Sequence, residues 1–493
     1  MERGRIKEFL WYFSGMFIPF AISFVKSPIF TRYFSTSEYG LFAIVSITFS
    51  LLSATIYTSI TSCIWRYYNQ YKSNNTLTNL YSAIFLYYIV GTVIIIIFSI
   101  IWTVLSNNIQ IANLIWLCFG QYAILGLIGN FLVILKIEGK AKLYNILYSC
   151  RFAMSFGILI LLTFVFQMRI EALILADLLA AFLTLILIFI CFPVKYRVSI
   201  APINLKTVKE FLFYSAASLF LNFIFTMLNF SDRYIIGIYS SFDEVGIYNQ
   251  VYNLCQISIT AIAGVYLSTI TSKFNRFLES GTQHLDRVIQ IYIKEYFILV
   301  FPATFLLSLF HREVATVLLG KAFHDGHTMI PFVMLSAFIL GLSQIPEMKL
   351  KFANKINKVL FSASAALIIN FALNFLLIPA INYKIASITT LICNLFLIFM
   401  YLKMSQVTIF NSNKNNKIYL KILTITISEI VLDLLISHFF IPQKNIVFVI
   451  VEGILFFSIF YLLLIPSKII SAILSLKFLR NSSDAKKIFS KRP

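Results

Sequence analysis

The sequence predicts an all-α polytopic membrane protein. It should have about fourteen transmembrane helices, in two parallel six-helix lobes followed by a C-terminal helix pair. Three observations carry this. Of 493 residues, 59% are hydrophobic and only 12% are charged, against about 25% charged in a soluble chain. Apolar runs of roughly 20 residues, the length that crosses a bilayer, recur from end to end. And one polar signature occurs twice. Phe30–Ile44 reads FTRYFSTSEYGLFAI, and Phe230–Tyr252 reads FSDRYIIGIYSSFDEVGIYNQVY. Each has Arg-Tyr after an apolar run, then an acid-x-Gly (Glu38-Tyr39-Gly40, Glu244-Val245-Gly246) that opens the next one. A membrane β-barrel is excluded, because its strands would read as roughly 10-residue alternating segments.

The apolar runs place spans near 9–30, 40–64, 80–104, 111–135, 143–167, 172–192, 210–230, 245–270, 291–310, 328–345, 359–379, 383–403, 419–440 and 446–466. The first is too long for a signal-peptide core and no small-residue cleavage site follows it. The charge distribution tests the count. With the N-terminus inside, 30 of the 40 Lys and Arg fall in inner segments, 7 in outer segments and 3 in or beside spans. Such alternation is the positive-inside pattern, so both termini should be cytoplasmic. It also accounts for the net charge of +20 without nucleic acid. The six cysteines all sit in or at the ends of apolar runs and form no C-x-x-C pair. Neither a disulfide framework nor a zinc site is indicated.

The duplication extends further. Lys7–Tyr12 matches Lys209–Tyr214, and the basic loop Lys136–Leu143 matches Lys351–Val359. The offsets, 202 to 215 residues, each correspond to six spans. An even number of spans keeps orientation, so the halves should be parallel about an axis along the membrane normal. The expected division is 1–200 (N-lobe, spans 1–6), 201–410 (C-lobe, spans 7–12), 411–466 (helices 13–14) and 467–493 (a basic cytoplasmic tail). The longest outer loop, His311–His327, leaves no room for an inserted soluble domain.

Six plus six plus two spans, with Thr31-Arg32 through Ser37-Glu38-Tyr39-Gly40-Leu41-Phe42, and with Ser231-Asp232-Arg233-Tyr234-Ile235-Ile236-Gly237 before Glu244-Val245-Gly246-Ile247-Tyr248, resemble a known family. It is the polysaccharide-transporter branch, typified by O-antigen flippases, of the multidrug/oligosaccharidyl-lipid/polysaccharide exporter superfamily. The resemblance covers the chain by topology and about 40 residues by motif. It implies two lobes around a cavity that opens alternately to either side. It also implies a cargo, an oligosaccharide on undecaprenyl pyrophosphate. This would move from the cytoplasmic to the periplasmic leaflet of a bacterial inner membrane for O-antigen, capsule or similar polysaccharide, with a polymerase and chain-length machinery as partners.

Such a cargo has an anionic head, a polar glycan and an apolar tail, so its head needs a wet, cationic cavity. Charged side chains inside spans cost a few kcal/mol each, which makes them functional candidates. Arg151 lies about eight residues into span five, roughly 12 Å from the inner edge at 1.5 Å per residue, and its planar fork matches phosphate oxygens. Its structural alternative is a pair with Asp177. Lys26 lies near the outer end of span one, where it could also snorkel outward. Arg32 and Arg233, equivalent in the repeat, could ring the outer mouth; the alternative is an interfacial Arg beside its own acid, Asp232 for Arg233. Arg66 borders span two with Lys72 and the aromatics Trp65, Tyr67, Tyr68 and Tyr71, which suits sugars but also an ordinary interfacial belt.

Glu38 and Glu244 read as helix starts behind Ser37 and Asp243 as N-caps. Asp177, Glu429, Asp433 and Glu452 are acids within spans and candidates for ion coupling. Glu429 and Asp433, four apart, share a helix face. His311, His324 and His327 share one outer loop, a weak metal pattern without a fourth ligand. No Gly-rich phosphate loop is present, and no cofactor or catalytic residue is expected. Two rival readings remain. A multispan glycosyltransferase or polymerase would use the same lipid donor, but the outer loops are short for one. A cation-coupled drug exporter of the same superfamily usually has twelve spans.

Overall fold

The computed structural model describes residues 18–191, 205–279, 285–407, 413–439 and 446–464. The start of span one with its Lys7–Tyr12 motif, and the tail after Leu464, lie outside the described residues. In chain order the helices are α1 (Ile18–Phe30), α2 (Thr36–Ser73), α3 (Leu77–Ser106), α4 (Ile109–Ile137), α5 (Ala141–Ile160, continued by a π-turn over Leu161–Val165), α6 (Glu171–Cys191), α7 (Leu205–Tyr239), α8 (Phe242–Glu279), α9 (Leu285–Leu309), α10 (His311–Leu318, followed by a 3-10 stretch, Lys321–Met329), α11 (Ile330–Phe352), α12 (Ile356–Ala380), α13 (Ile385–Ser405), α14 (Asn413–Phe439) and α15 (Ile446–Leu464). No strand occurs among the described residues. Among the described residues eleven helices are long and apolar enough to cross a membrane, and Ile18–Phe30 and Phe448–Leu464 are shorter apolar helices. The chain is a multi-pass helical membrane protein. Exposed apolar stripes such as Ile94, Ile97, Ile101 and Leu105 on α3 suit lipid as their solvent.

The loops are short because single residues make the reversals. Asn75, Asn107, Asn354 and Gly139 hold positive φ, the left-handed region that Asn and Gly enter at least cost. These turns show the repeat in backbone detail. After α4, the amides of Glu138, Gly139 and Lys140 donate to the carbonyls of Ile134, Lys136 and Leu135. After α11, Ala353, Asn354 and Lys355 donate to Lys349, Lys351 and Leu350. The packing repeats too. α4 lies on α2, α3 and α6 in the first half, as α11 lies on α8, α9 and α13 in the second.

Several helices overrun the expected spans. α2, α7 and α8 reach 35 to 38 residues. α7 continues through Ser231-Asp232-Arg233, which the sequence suggested as loop, because these side chains find partners inside the protein: Ser231 donates to Asn370, and Arg233 Nη1 donates to Asp232 and the Asn229 carbonyl. The expected outer loop His311–His327 is itself largely helical: α10 packs on α9 and α15, and the 3-10 stretch packs on α8 and α11. Basic residues occupy the last turns of α2, α4, α11 and α13 (Lys72, Lys136, Lys349, Lys351, Lys403), where they also complement the helix dipole. This is the basic end of the bundle. α14 and α15 pack on each other and on α9.

Candidate cationic cavity

The two halves meet through α2. It runs along α7, with Thr48 and Tyr234 hydroxyls 2.8 Å apart, Ser62 and Ser218 hydroxyls 2.9 Å apart, and Tyr67 stacked on Phe211 at 4.9 Å. At the end opposite the basic one, α2 crosses α8, and there the twice-written motif shows its use. The N-cap of α2 is Ser35 rather than Ser37. Its hydroxyl accepts from the Glu38 amide, and Glu38 Oε2 accepts from the Ser35 amide, a reciprocal capping box. Ser241, not Asp243, accepts from the Glu244 amide in α8. Both repeats therefore read Ser-x-x-Glu-x-Gly, and the glycines are where the backbones touch. A Cβ on Gly40 would lie 1.8 Å from the Phe242 carbonyl oxygen, and one on Gly246 would lie 1.9 Å from that of Thr36. Thr36 also hydrogen-bonds Asp243.

The end of α1 adds a second contact at this level. Ser27 donates to Leu318 O (3.2 Å), Arg32 donates to Val317 O (2.9 Å), and the Gly320 amide donates to Thr31 Oγ1 (2.9 Å). Tyr39 meets Phe323 edge-on at 5.5 Å. The end of the bundle opposite the basic one is thus sealed by direct contact between halves.

Behind this seal lies a cavity of about 210 Å³ lined by Ser23 and Lys26 of α1, Tyr39 and Phe42 of α2, Leu173 of α6, and Gln250 and Asn253 of α8. Lys26 makes no hydrogen bond and no ion pair among the described residues. Arg151 lies on α5, half-buried and also without a carboxylate. Asp177 instead accepts from Ser155 Oγ and, at 3.5 Å, from Gln121. α1 and α5 adjoin near the sealed end, where Tyr33 OH donates to Thr163 O at 3.3 Å. Arg151 precedes Thr163 by twelve residues, roughly 18 Å of helix. It therefore sits nearer the basic end than Lys26 does.

The repeat-related arginines part company. Arg32 is exposed and bonded to backbone carbonyls of Pro28 and Val317. Arg233 is 0% exposed, so it does not ring a mouth. Its Nη1 lies 2.6 Å from Asp232 Oδ1 and its guanidinium 3.9 Å from the centre of the Tyr252 ring. Around the pair, Tyr248 and Thr390 donate to Asp232 Oδ2. Ser231, Asn370, Asn374 and Thr389 continue the network between α7, α12 and α13. Arg66 and Trp65 are exposed at the basic end, where Lys72 lies 5.7 Å from the Tyr68 ring.

In the last helix pair, Glu429 is buried, and neither of its oxygens has a partner among the described residues. Glu452 is buried and Asp433 half-buried. His324 and His327 bond to backbone carbonyls, while His311 and His327 rings lie 5.3 Å apart. Among the described residues no three His, Cys, Asp or Glu gather as metal ligands. The sequence reading missed Gln250 and Asn253. They are polar positions three apart in α8, which puts both on one helix face.

No curated protein matches the chain in sequence. Solved structures do in shape. The lipid II flippase MurJ in an inward closed conformation aligns with TM-score 0.66 at 14% identity, over 94% of this chain and 99% of that one. An inward-facing multidrug resistance MATE family transporter of the MOP superfamily aligns with TM-score 0.60 at 13% identity, over 81% and 94%. The Vibrio cholerae MATE transporter VcmN in its bent form follows with TM-score 0.56 at 10% identity, over 81% and 95%. The fold is therefore the one seen in the MurJ flippase and in these multidrug transporters. Residues 6–274, over half of the chain, match the family described as "Polysaccharide biosynthesis protein", and the chain belongs to that family.

Proposed function

We propose that the protein is a flippase that carries a polyprenyl-pyrophosphate-linked oligosaccharide across a bacterial cytoplasmic membrane, from the inner to the outer leaflet, for surface polysaccharide. The observation that carries this is a pair of half-buried cations with no acid paired to them among the described residues, one of them lining a cavity between the halves. Placing unpaired charge in a membrane span costs a few kcal/mol. A ligand that brings its own negative charge offsets that cost, and a pyrophosphate does so with geometry that suits Arg. In this reading the basic end is cytoplasmic, and a cargo loads from that side while the far end is sealed. Arg151 meets the head first and Lys26 meets it deeper, before the seal opens. The polymerase and chain-length machinery act downstream of the released cargo. The protein itself forms and breaks no covalent bond.

The test is genetic and quantitative. Lys26→Ala and Arg151→Ala should each lower surface polysaccharide at least about tenfold, the effect of ~1.4 kcal/mol of lost binding, with protein level in the membrane unchanged. Wild-type polysaccharide in both variants would remove the cationic cavity from the mechanism.

A further inference from the structure

The unpaired Arg151 belongs to a longer arrangement. On α5, Tyr144 and Tyr148 stack with ring centroids 5.7 Å apart at 11°, and Tyr148 and Phe152 follow at 5.2 Å. A cation closes each end. Lys136 Nζ, from the last turn of α4, stands 4.5 Å from the centre of the Tyr144 ring. The Arg151 guanidinium stands 4.4 Å from the Phe152 ring and 5.8 Å from the Tyr148 ring. Neither cation is in an ion pair among the described residues. The acid nearest Lys136 in sequence, Glu138, is engaged by Lys140 at 2.6 Å and by Tyr68 OH at 2.8 Å.

An interfacial belt would turn its aromatics toward lipid. This ladder does not. The exposed stripe of α5 is Ile146, Cys150, Ala153, Gly157 and Leu161, spaced three and four apart and hence on one face. At about 100° per residue, Tyr144, Tyr148 and Arg151 project from the other side of the helix. They are half-buried there, turned away from that stripe on a helix that packs on α6 and α4.

We propose that Lys136, Tyr144, Tyr148, Arg151 and Phe152 form a loading track for the sugar-pyrophosphate head of the cargo, an assignment that rests on the transport reading above. A cation held by a π-face is positioned but keeps its full charge and its free N–H donors, which an acid partner would consume. The pyrophosphate takes those donors. The C–H face of a pyranose is apolar and slightly electropositive, so it packs on the negative face of an aromatic ring. Tyr144 and Arg151 are seven residues apart, about 10 Å along the axis. That length accommodates a pyrophosphate at a cation and a sugar on the rings between. The track selects a sugar pyrophosphate over a bare polyprenyl pyrophosphate.

The experiment uses the full chain in lipid nanodiscs and two probes, geranyl pyrophosphate and geranyl-pyrophosphoryl-N-acetylglucosamine, with affinities measured by calorimetry. The wild type should bind the sugar-bearing probe more tightly. Lys136→Ala and Arg151→Ala should weaken both probes about tenfold, the scale of one charge-assisted contact. Tyr148→Leu should erase the preference for the sugar and leave geranyl pyrophosphate unchanged, and Tyr148→Phe should restore it. A Tyr148→Leu variant that loses both probes equally, or Lys136→Ala at wild-type affinity, overturns the track. A wild type that binds both probes with unaltered variants overturns the track alone. A wild type that binds neither overturns the transport reading with it.

Discussion

Gly40→Ala is expected to abolish surface polysaccharide and to hold the two halves apart at the end opposite the basic one. The added Cβ would stand 1.8 Å from the Phe242 carbonyl oxygen and 3.0 Å from its Cα. Both are backbone, so no rotamer change relieves the clash and the helices themselves must separate. Overpacking a tight site costs typically 1–3 kcal/mol, here charged entirely to the state in which α2 and α8 touch. Gly246→Ala should act with equal force, because its Cβ meets the Thr36 carbonyl oxygen at 1.9 Å. The two should not add, since a crossing already parted by one methyl has room for the other. Gly157→Ala is the control. Nothing lies within 4 Å of its Cβ, and Ala in a helix interior is favoured over Gly by roughly 0.5–1 kcal/mol. Spin labels on the exposed Asn107 and Ile381, each at the sealed end of one half, report the separation. Longer distances in Gly40→Ala and Gly246→Ala, but not in Gly157→Ala, are expected. Unchanged distances with full polysaccharide would mean that this crossing never forms during transport.

These glycines also show what sequence alone could and could not convey. The membrane class, the repeat and the order of helices are written in apolar run lengths, charge alternation and a motif at a fixed offset. All are local or additive quantities. The caps were legible too, since Ser35 and Ser241 each stand three residues before a Glu, yet the nearer Ser37 and Asp243 drew the assignment. The meeting of Gly40 with Gly246 is different in kind. It joins residues 206 apart in sequence, and periodicity carries no information about which helix crosses which. Arg32 and Arg233 failed as a pair for the same reason. Their neighbours in sequence match, but their neighbours in space do not, because only Arg233 has Asp232, Tyr248 and Tyr252 closing over it. The ladder on α5 lies between these cases. Tyr144, Tyr148 and Phe152 at four-residue spacing can be read directly, but that they face away from lipid needs the exposure of Ile146 and Cys150 on the other side.

Arg233→Leu decides between the two roles open to that residue. If the guanidinium bound cargo, its loss would stop transport and leave the fold intact. The geometry argues for the other outcome. Arg233 and Asp232 are 0% and 1% exposed, and their charges lie 2.6 Å apart. Removing one partner of a buried pair leaves an uncompensated charge and costs about 3–5 kcal/mol, whereas replacing both partners with neutral groups is often close to neutral. Arg233→Leu should therefore lower the thermal unfolding midpoint of the purified protein sharply, with polysaccharide falling in step with the amount of folded protein. Asp232→Asn introduced beside it should recover most of the lost stability. The amide oxygen still accepts from Tyr248 and Thr390, which donate to Asp232 Oδ2 in the wild type, and no unpaired charge remains. An Arg233→Leu variant with a wild-type midpoint and no transport would return this arginine to the cargo path. It would also require that the network between α7, α12 and α13 opens during the cycle, because no ligand reaches Arg233 while Tyr248 and Tyr252 cover it.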